Sequence, residues 1–383
     1  MPKTNSHIIT NARLVLKDSV ISGTLVYEAD RIVSIDSQPT SVRGADDWQG
    51  DFLLPGLVEL HTDNLEKHLE PRPGVRWPAL SALLAHDGQI SSAGITTALD
   101  ALSVGDFDKE SVRARGLQET TKALHHAAAN GLLRAEHLLH MRCELACENM
   151  IETVTRCLDD TNVRLVSIMD HTPGQRQWTN IEHFRIHSQR DEKWSDGHLD
   201  HVVADRLDLQ SRNAAGNRKA LLELCAAYHL PIASHDDTSE AHVDEAAADG
   251  MQICEFPTTL AAARAARRHG MRIVMGAPNM VRSASHCGNV LTRDLAAYDL
   301  VDCLSSDYVP HSLVHGAFLL HDEAGWSLPR AIATVTSEPA RLIGLSDRGE
   351  IASGKRADFV RVRRPAGEVA VPISTWRGGT RIA

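Results

Sequence analysis

The stretch LPGLVELHTDNLEKH, residues 54–68, runs through an apolar strand to His61 and then places Asp63, Glu66, Lys67 and His68 within the next seven positions. Ionisable groups crowded at the end of a buried strand repel one another and lose solvation unless they meet ions. A surface loop could collect them by chance, whereas a strand opening into an active site would need them. The pattern around them decides.

The same texture, a short apolar strand followed by a helical stretch, recurs from residue 56 to 344. The candidate strands are GLVELHTD, AGITTALDA, LLHMRCEL, VRLVSIMDHT, LPIASHDD, MQICEFP, MRIVMGAPN and VDCLSSDYVP, eight in all. Helical stretches such as KESVRARGLQETTKALHHAAANG (109–131) and RNAAGNRKALLELCAAYH (212–229) lie between them. Strand–helix alternation over this length predicts an α/β fold, a (β/α)8 barrel of the TIM type. Residues 7–54 and the tail 349–379 read instead as short antiparallel strands punctuated by Gly, Asp and Asn. The longest stretch without a pattern, 172–205, reads as an irregular connection of the kind that carries function.

Bulk properties narrow the class. With 383 residues, 43% hydrophobic, the chain is long enough for a barrel and an accessory domain. No run approaches the ~18 apolar residues of a membrane helix, and the N-terminus shows no secretory core. Seven cysteines without a CxxC argue against a disulfide framework or a thiolate zinc cluster, so a cytoplasmic protein is expected. The formal charge of −10 speaks against nucleic acid as the main partner, though not against an anionic small molecule met by local positive charge.

In a barrel, chemistry sits at the C-terminal strand ends. Those ends carry His61 and Asp63, Glu144, His171, His235, Glu255 and Asp307. Any one of these histidines alone is better read as a satisfied core or loop residue. Together they form a mixed nitrogen and oxygen set that only cations would make tolerable, which points to a metal site suited to Zn²⁺, Mn²⁺ or Fe²⁺. His61 and Asp63, at i and i+2, would supply half of it from one strand face.

These residues carry a resemblance. His61-x-Asp63 after PGLVEL, the strand-end Asp of SSD, and TSEPARLIGLSDRGEIASGKRADFVRV near the close resemble the amidohydrolase superfamily. That resemblance implies a metal-dependent barrel (56–344) with a small β-sandwich domain built from both chain ends (1–55 and 345–383). Within the superfamily, ELHTDNLEKHLEPRPGVRWP, MRCEL, SIMDHTPGQRQ, ASHDD, EFPTT, MGAPNMVRSASHCGN and LSSDYVP resemble one subgroup. Its members hydrolyse the triphosphate of a phosphorylated ribose phosphonate, α-D-ribose 1-methylphosphonate 5-triphosphate, to the 5-phosphate and pyrophosphate. The turn Ser283–Asn289 reads SASHCGN where the subgroup usually has GGSHSGN.

The resemblance implies two divalent metal ions, Zn²⁺ first, with Mn²⁺ or Fe²⁺ as alternatives. His61 and Asp63 would hold one ion, His171 and His235 the other, and Glu144 would bridge them. Asp307 would contact the first and handle the proton of the attacking water. Glu255 is left between ligand and hydrogen-bond acceptor. Lys67, His68, Arg72 and Arg76 on the first loop, Arg176 on a second, and Arg282 and His286 on a third would bind the phosphates. Singly, each of these is better read as a solvated loop charge. The alternatives are an amidohydrolase cleaving a C–N bond in a cyclic amide or N-acyl substrate, and a non-catalytic scaffold. A homodimer is left open, and neither nucleic acid nor a membrane is expected as partner.

Overall fold

The structure, a computed structural model, describes residues 6–72, 74–107, 112–191, 194–284 and 288–383. Eight parallel strands pair in chain order: Leu57–Thr62, Ile95–Val104, Glu136–Glu144, Val163–Met169, Ile232–His235, Ile253–Glu255, Arg272–Gly276 and Cys303–Ser305. Each overlaps one of the eight stretches read from the sequence. The first and last strands meet just past their ends: Asp307 N donates to His61 O at 3.1 Å and Thr62 Oγ1 to Asp307 O at 2.8 Å. This is the (β/α)8 barrel that the alternation predicted.

The barrel interior draws apolar side chains from every strand: Val58 and Leu60, Leu99, Leu138, Leu165, Ala233, Ile253, Val274 and Cys303, all buried. Such a layer makes the barrel a packed core rather than a pore. Truncating one of the larger members, such as Leu99→Ala, is expected to cost about 2–5 kcal/mol. Several helices begin where the sequence supplies a cap. The hydroxyls of Ser195, Ser239 and Thr259 accept from the backbone N–H groups of His198, His242 and Ala262.

A second, mostly antiparallel sheet draws its strands from both chain ends, with Phe52–Pro55 paired against Phe359–Arg363. Phe359 stacks on Trp376 in its core, and Trp48 packs against both at a tilt. The tail is tied to the barrel floor by buried Arg348, which donates to Thr97 Oγ1 at 2.9 Å and Glu136 Oε2 at 2.8 Å. Gly349 follows at φ +84°, where a Cβ would lie 2.9 Å from Thr336 O, so only glycine fits.

The stretch 172–205 departs from expectation. It holds a short 3₁₀ turn at Arg176–Trp178, a helix Ile181–Asp191 and the first turns of a 32-residue helix, Asp196–Ala227. That long helix buries only Leu199 before Ala214, so its N-terminal half has no apolar stripe to betray it.

Candidate functional site

The period of two along each strand decides what reaches the barrel mouth. On the third strand Leu138 lies in the inner layer, so His140, Arg142 and Glu144 rise above it on the same face. On the fifth and sixth, Ala233 leads to His235 and Ile253 to Glu255. Above the apolar layer therefore sits a polar one, made of His140, Ser167, His235 and Glu255, which His61 joins where the first strand's register shifts between Glu59 and Thr62.

Glu255 organises it. His61 Nδ1 donates to Glu255 Oε1 at 2.8 Å, while His235 Nδ1 at 2.7 Å and Ser167 Oγ at 2.8 Å donate to Oε2. Burial works against the Glu255 charge, but the three histidines around it outweigh burial and hold its pKa well below the ordinary carboxylate range. His140 is pushed down to about 3, chiefly by burial, and stays neutral, with Ser167 Oγ 2.5 Å from its Nε2. His61 is also lowered, first by burial. Glu144 treats His171 as Glu255 treats the other two: its oxygens accept from His171 N at 3.1 Å and from His171 Nδ1 at 2.7 Å.

Three histidines thus have Nδ1 committed to a buried carboxylate, which leaves Nε2 of each as the ligand atom. Outer carboxylates of this kind fix the tautomer and raise the basicity of metal-binding imidazoles. The Nε2 atoms of His171 and His235 lie 3.9 and 3.5 Å from Asp236 Oδ2, and these three residues bring their ligand atoms within 4.8 Å of one another. Asp63 and Asp307 line the same cavity of about 280 Å³, together with Arg142, Arg282, Asn279 and Tyr308. The donors are nitrogen and oxygen, and buried Cys143 and Cys254 are not among the lining residues. The set fits a divalent transition metal. A larger cavity, about 610 Å³, lies between the terminal sheet and the barrel floor near Val15 and Arg341, and contains none of the candidate ligands.

Asp307 is held in the left-handed region at φ +52°, and Asp236 and Phe256 share that conformation at φ +55° and +54°. Such backbones are costly for non-glycine residues and collect at functional strand ends. Burial, then Asp63, pushes the Asp307 carboxyl up to about 7 in the metal-free protein, against the pull of Arg142. Glu59, also raised to about 7 by burial, accepts from the backbone N–H groups of His61 and Ser306 and from Ser305 Oγ. It braces the seam between the first and last strands.

The predicted phosphate cations fare differently. Arg282 lines the cavity from an exposed position. Arg176 is buried and clamped by Asp237 and Glu245, away from the cavity lining. Lys67 Nζ donates to Tyr308 O at 2.5 Å, and Arg76 is paired with Glu119 at 2.6 Å. His68 Nε2 is 3.0 Å from Gln89 Oε1, and Arg72 is exposed. His286 lies outside the described residues. Two charged cavity residues went unnoticed in the sequence, Asp236 and Arg142. The period-two ladder Leu138, His140, Arg142, Glu144 was the signal for the second.

Residues 171–383 match the amidohydrolase family. Over 377 residues the chain is 42% identical to the α-D-ribose 1-methylphosphonate 5-triphosphate diphosphatase of Escherichia coli (strain K12), covering 98% of this chain and 100% of that protein. Among solved structures, it superposes on N-isopropylammelide isopropylaminohydrolase from Burkholderia multivorans with a TM-score of 0.65 at 17% identity, covering 98% of each chain. It superposes on N-acetylglucosamine-6-phosphate deacetylase from Pasteurella multocida with a TM-score of 0.64 at 12% identity, over 98% of this chain and 99% of that one. At such identities these two likenesses concern the fold.

Proposed function

The chain belongs to the amidohydrolase family, and from that premise we propose that it hydrolyses the phosphoanhydride of α-D-ribose 1-methylphosphonate 5-triphosphate, releasing the 5-phosphate and pyrophosphate. The observation that carries this reading is the end-to-end similarity, at 42% identity, to the E. coli diphosphatase of that substrate. The cavity chemistry supports it, since it joins a metal-ligand set to arginines suited to phosphoryl oxygens. The C–N hydrolases among the structural neighbours share the barrel but offer only fold-level likeness.

His171, His235 and Asp236 would hold one divalent ion, and His61, Asp63 and Asp307 a second, with Zn²⁺ the first choice for this donor set. Bound there, the metal would lower the pKa of water and neutralise charge on the phosphoryl oxygens. The chain's own residues do the rest. Glu255 and Glu144 keep the three imidazoles aimed and in one tautomer. Asp307, fixed by its bond to His61 O, takes a proton on its carboxylate from the attacking water. Arg282, at the rim, meets the outer phosphates.

The experiment is ³¹P NMR of the products from the ribose phosphonate triphosphate, with a dihydropyrimidine and an N-acyl amine run in parallel. Pyrophosphate and the 5-phosphate are expected. Turnover of the amides without pyrophosphate release would replace this reading with C–N hydrolysis.

A further inference from the structure

Among the described residues near the barrel mouth, Arg142 is a buried cation with unpartnered donors. Only 9% of it is exposed, and its Nε and Nη1 have no hydrogen-bond partner. The carboxylate oxygen in ion-pair range is Asp63 Oδ2, at 3.9 Å from Nη1, too far for a hydrogen bond. A buried guanidinium with unspent donors is costly, and native proteins tolerate it where a ligand completes it.

The two buried glutamates of this layer are committed elsewhere. Glu255 is shared by His61 and His235, and Glu144 is spent on His171. Other arginines close to the mouth have found partners, Arg176 in Asp237 and Glu245 and Arg76 in Glu119. Arg142 also projects from a barrel strand, two residues before its C-terminal end, rather than from a loop, so the scaffold positions it. It lines the cavity beside His61, His171, His235, Asp236 and Asp307. Two donor nitrogens of Arg142 therefore remain for an incoming anion.

We infer that Arg142 is the anion-docking group of this cavity, receiving non-bridging oxygens of the phosphoryl group that is attacked, within the reading of the site as a phosphoanhydride hydrolase. Nε–H and the Nη1 hydrogens lie on different edges of the planar guanidinium, so both edges keep a donor for the oxygens of a phosphoryl group. Because the side chain rises from the same strand as Glu144, docking on Arg142 would set the reacting phosphorus against the histidine Nε2 atoms. The exposed rim arginine, Arg282, is left with the outer phosphates. The competing account makes Arg142 a counter-charge that merely steadies Asp63.

The test uses the metal-loaded, full-length protein and inorganic phosphate as probe. Phosphate affinity, from calorimetry, and metal content are measured for the wild type, Arg142→Gln and Arg142→Lys. Arg142→Gln is expected to keep its metal and bind phosphate at least about tenfold more weakly, the loss of one charge-assisted contact. Arg142→Lys should recover part of the affinity by charge alone. Phosphate affinity in Arg142→Gln within about threefold of wild type overturns the inference, a smaller loss than one such contact predicts. Should the Gln variant not fold, the wild type decides, through the Arg142 Nε–H resonance of arginine-labelled protein, assigned against Arg142→Lys. A shift on saturation with phosphate sustains the inference, and an unmoved resonance ends it. The two readings fail separately. Arg142-dependent phosphate binding without pyrophosphate release would sink the proposed reaction alone. Pyrophosphate release with Arg142-independent phosphate binding would sink the docking role alone.

Discussion

Glu255 and His61 meet across the barrel mouth, His61 Nδ1 donating to Glu255 Oε1 at 2.8 Å, although 194 residues separate them in the chain. The other oxygen of the same carboxylate holds His235, so one side chain sets the tautomer of two candidate ligands on different strands. Glu255→Gln keeps the shape but offers an amide N–H where one imidazole needs an acceptor. Metal affinity should then fall about ten- to a hundredfold, the usual cost of losing an outer carboxylate. Competition against a chelator of known affinity measures it. Unaltered affinity would make Glu255 a packing residue.

Glu144 makes the corresponding prediction for His171. Both its oxygens are engaged by that residue, and its pKa is lowered because His171 outweighs the burial that would raise it. Glu144→Gln should therefore release the ion held by His171, His235 and Asp236, and leave the His61 side loaded. Metal stoichiometry by elemental analysis reads this directly. Full content in the variant would remove Glu144 from the metal centre.

Behind the first helix of the mouth, Asn64–Leu69, runs a buried chain of polar contacts. His137 bridges Asp87 at 3.2 Å and Asp100 at 2.8 Å, Asp100 holds His86 at 2.8 Å, and Asn64 donates to His86 Nδ1 at 3.0 Å. Burial opposes the His137 charge, but Asp100 and Asp87 prevail and lift its pKa to about 10. A folded-state pKa raised above the usual value of ~6.5 stabilises the protein fully below that value. The contribution is lost as pH climbs through about 10. His137→Gln strands two buried carboxylates, at a cost of about 3–5 kcal/mol at neutral pH. Urea midpoints compared at rising alkaline pH should show the gap between wild type and variant closing. A gap independent of pH would mean that His137 acts through packing alone.

The sequence showed the barrel because strands with apolar runs and helices with caps repeat whatever the tertiary contacts are. His61, Asp63, His171, His235 and Asp307 were legible because each ends an apolar run. Arg142 and Asp236 were not, for physical reasons. Arg142 lies inside a strand flanked by Met141 and Cys143, where an arginine looks like an outward-facing residue until the inward face is known. Asp236 follows His235 and reaches the site through a left-handed backbone turn that no alternation rule anticipates. Arg176 misled in the opposite direction, because a loop position says nothing about partners as distant in the chain as Asp237 and Glu245.

The last prediction concerns Asp307. Its carboxyl is half-buried, stands beside Asp63 and Glu59, and reaches a pKa of about 7 in the metal-free protein. A divalent cation beside it would draw that pKa down and keep the group ionised at neutral pH, as an acceptor for a proton must be. The positive φ and the bond from Asp307 N to His61 O hold the side chain at the first strand's end, so it does not depend on a mobile loop. Asp307→Asn preserves shape and removes proton acceptance. Metal content should remain largely intact while kcat falls by about 10²–10⁴, the range for a positioned general base. The rival role, a cap that only closes the barrel between its first and last strands, needs the backbone contacts and not the charge, and the Asn variant would then turn over at near wild-type rate. Pyrophosphate release and metal content measured on one preparation separate the two, since normal turnover with metal bound would take Asp307 out of the chemistry.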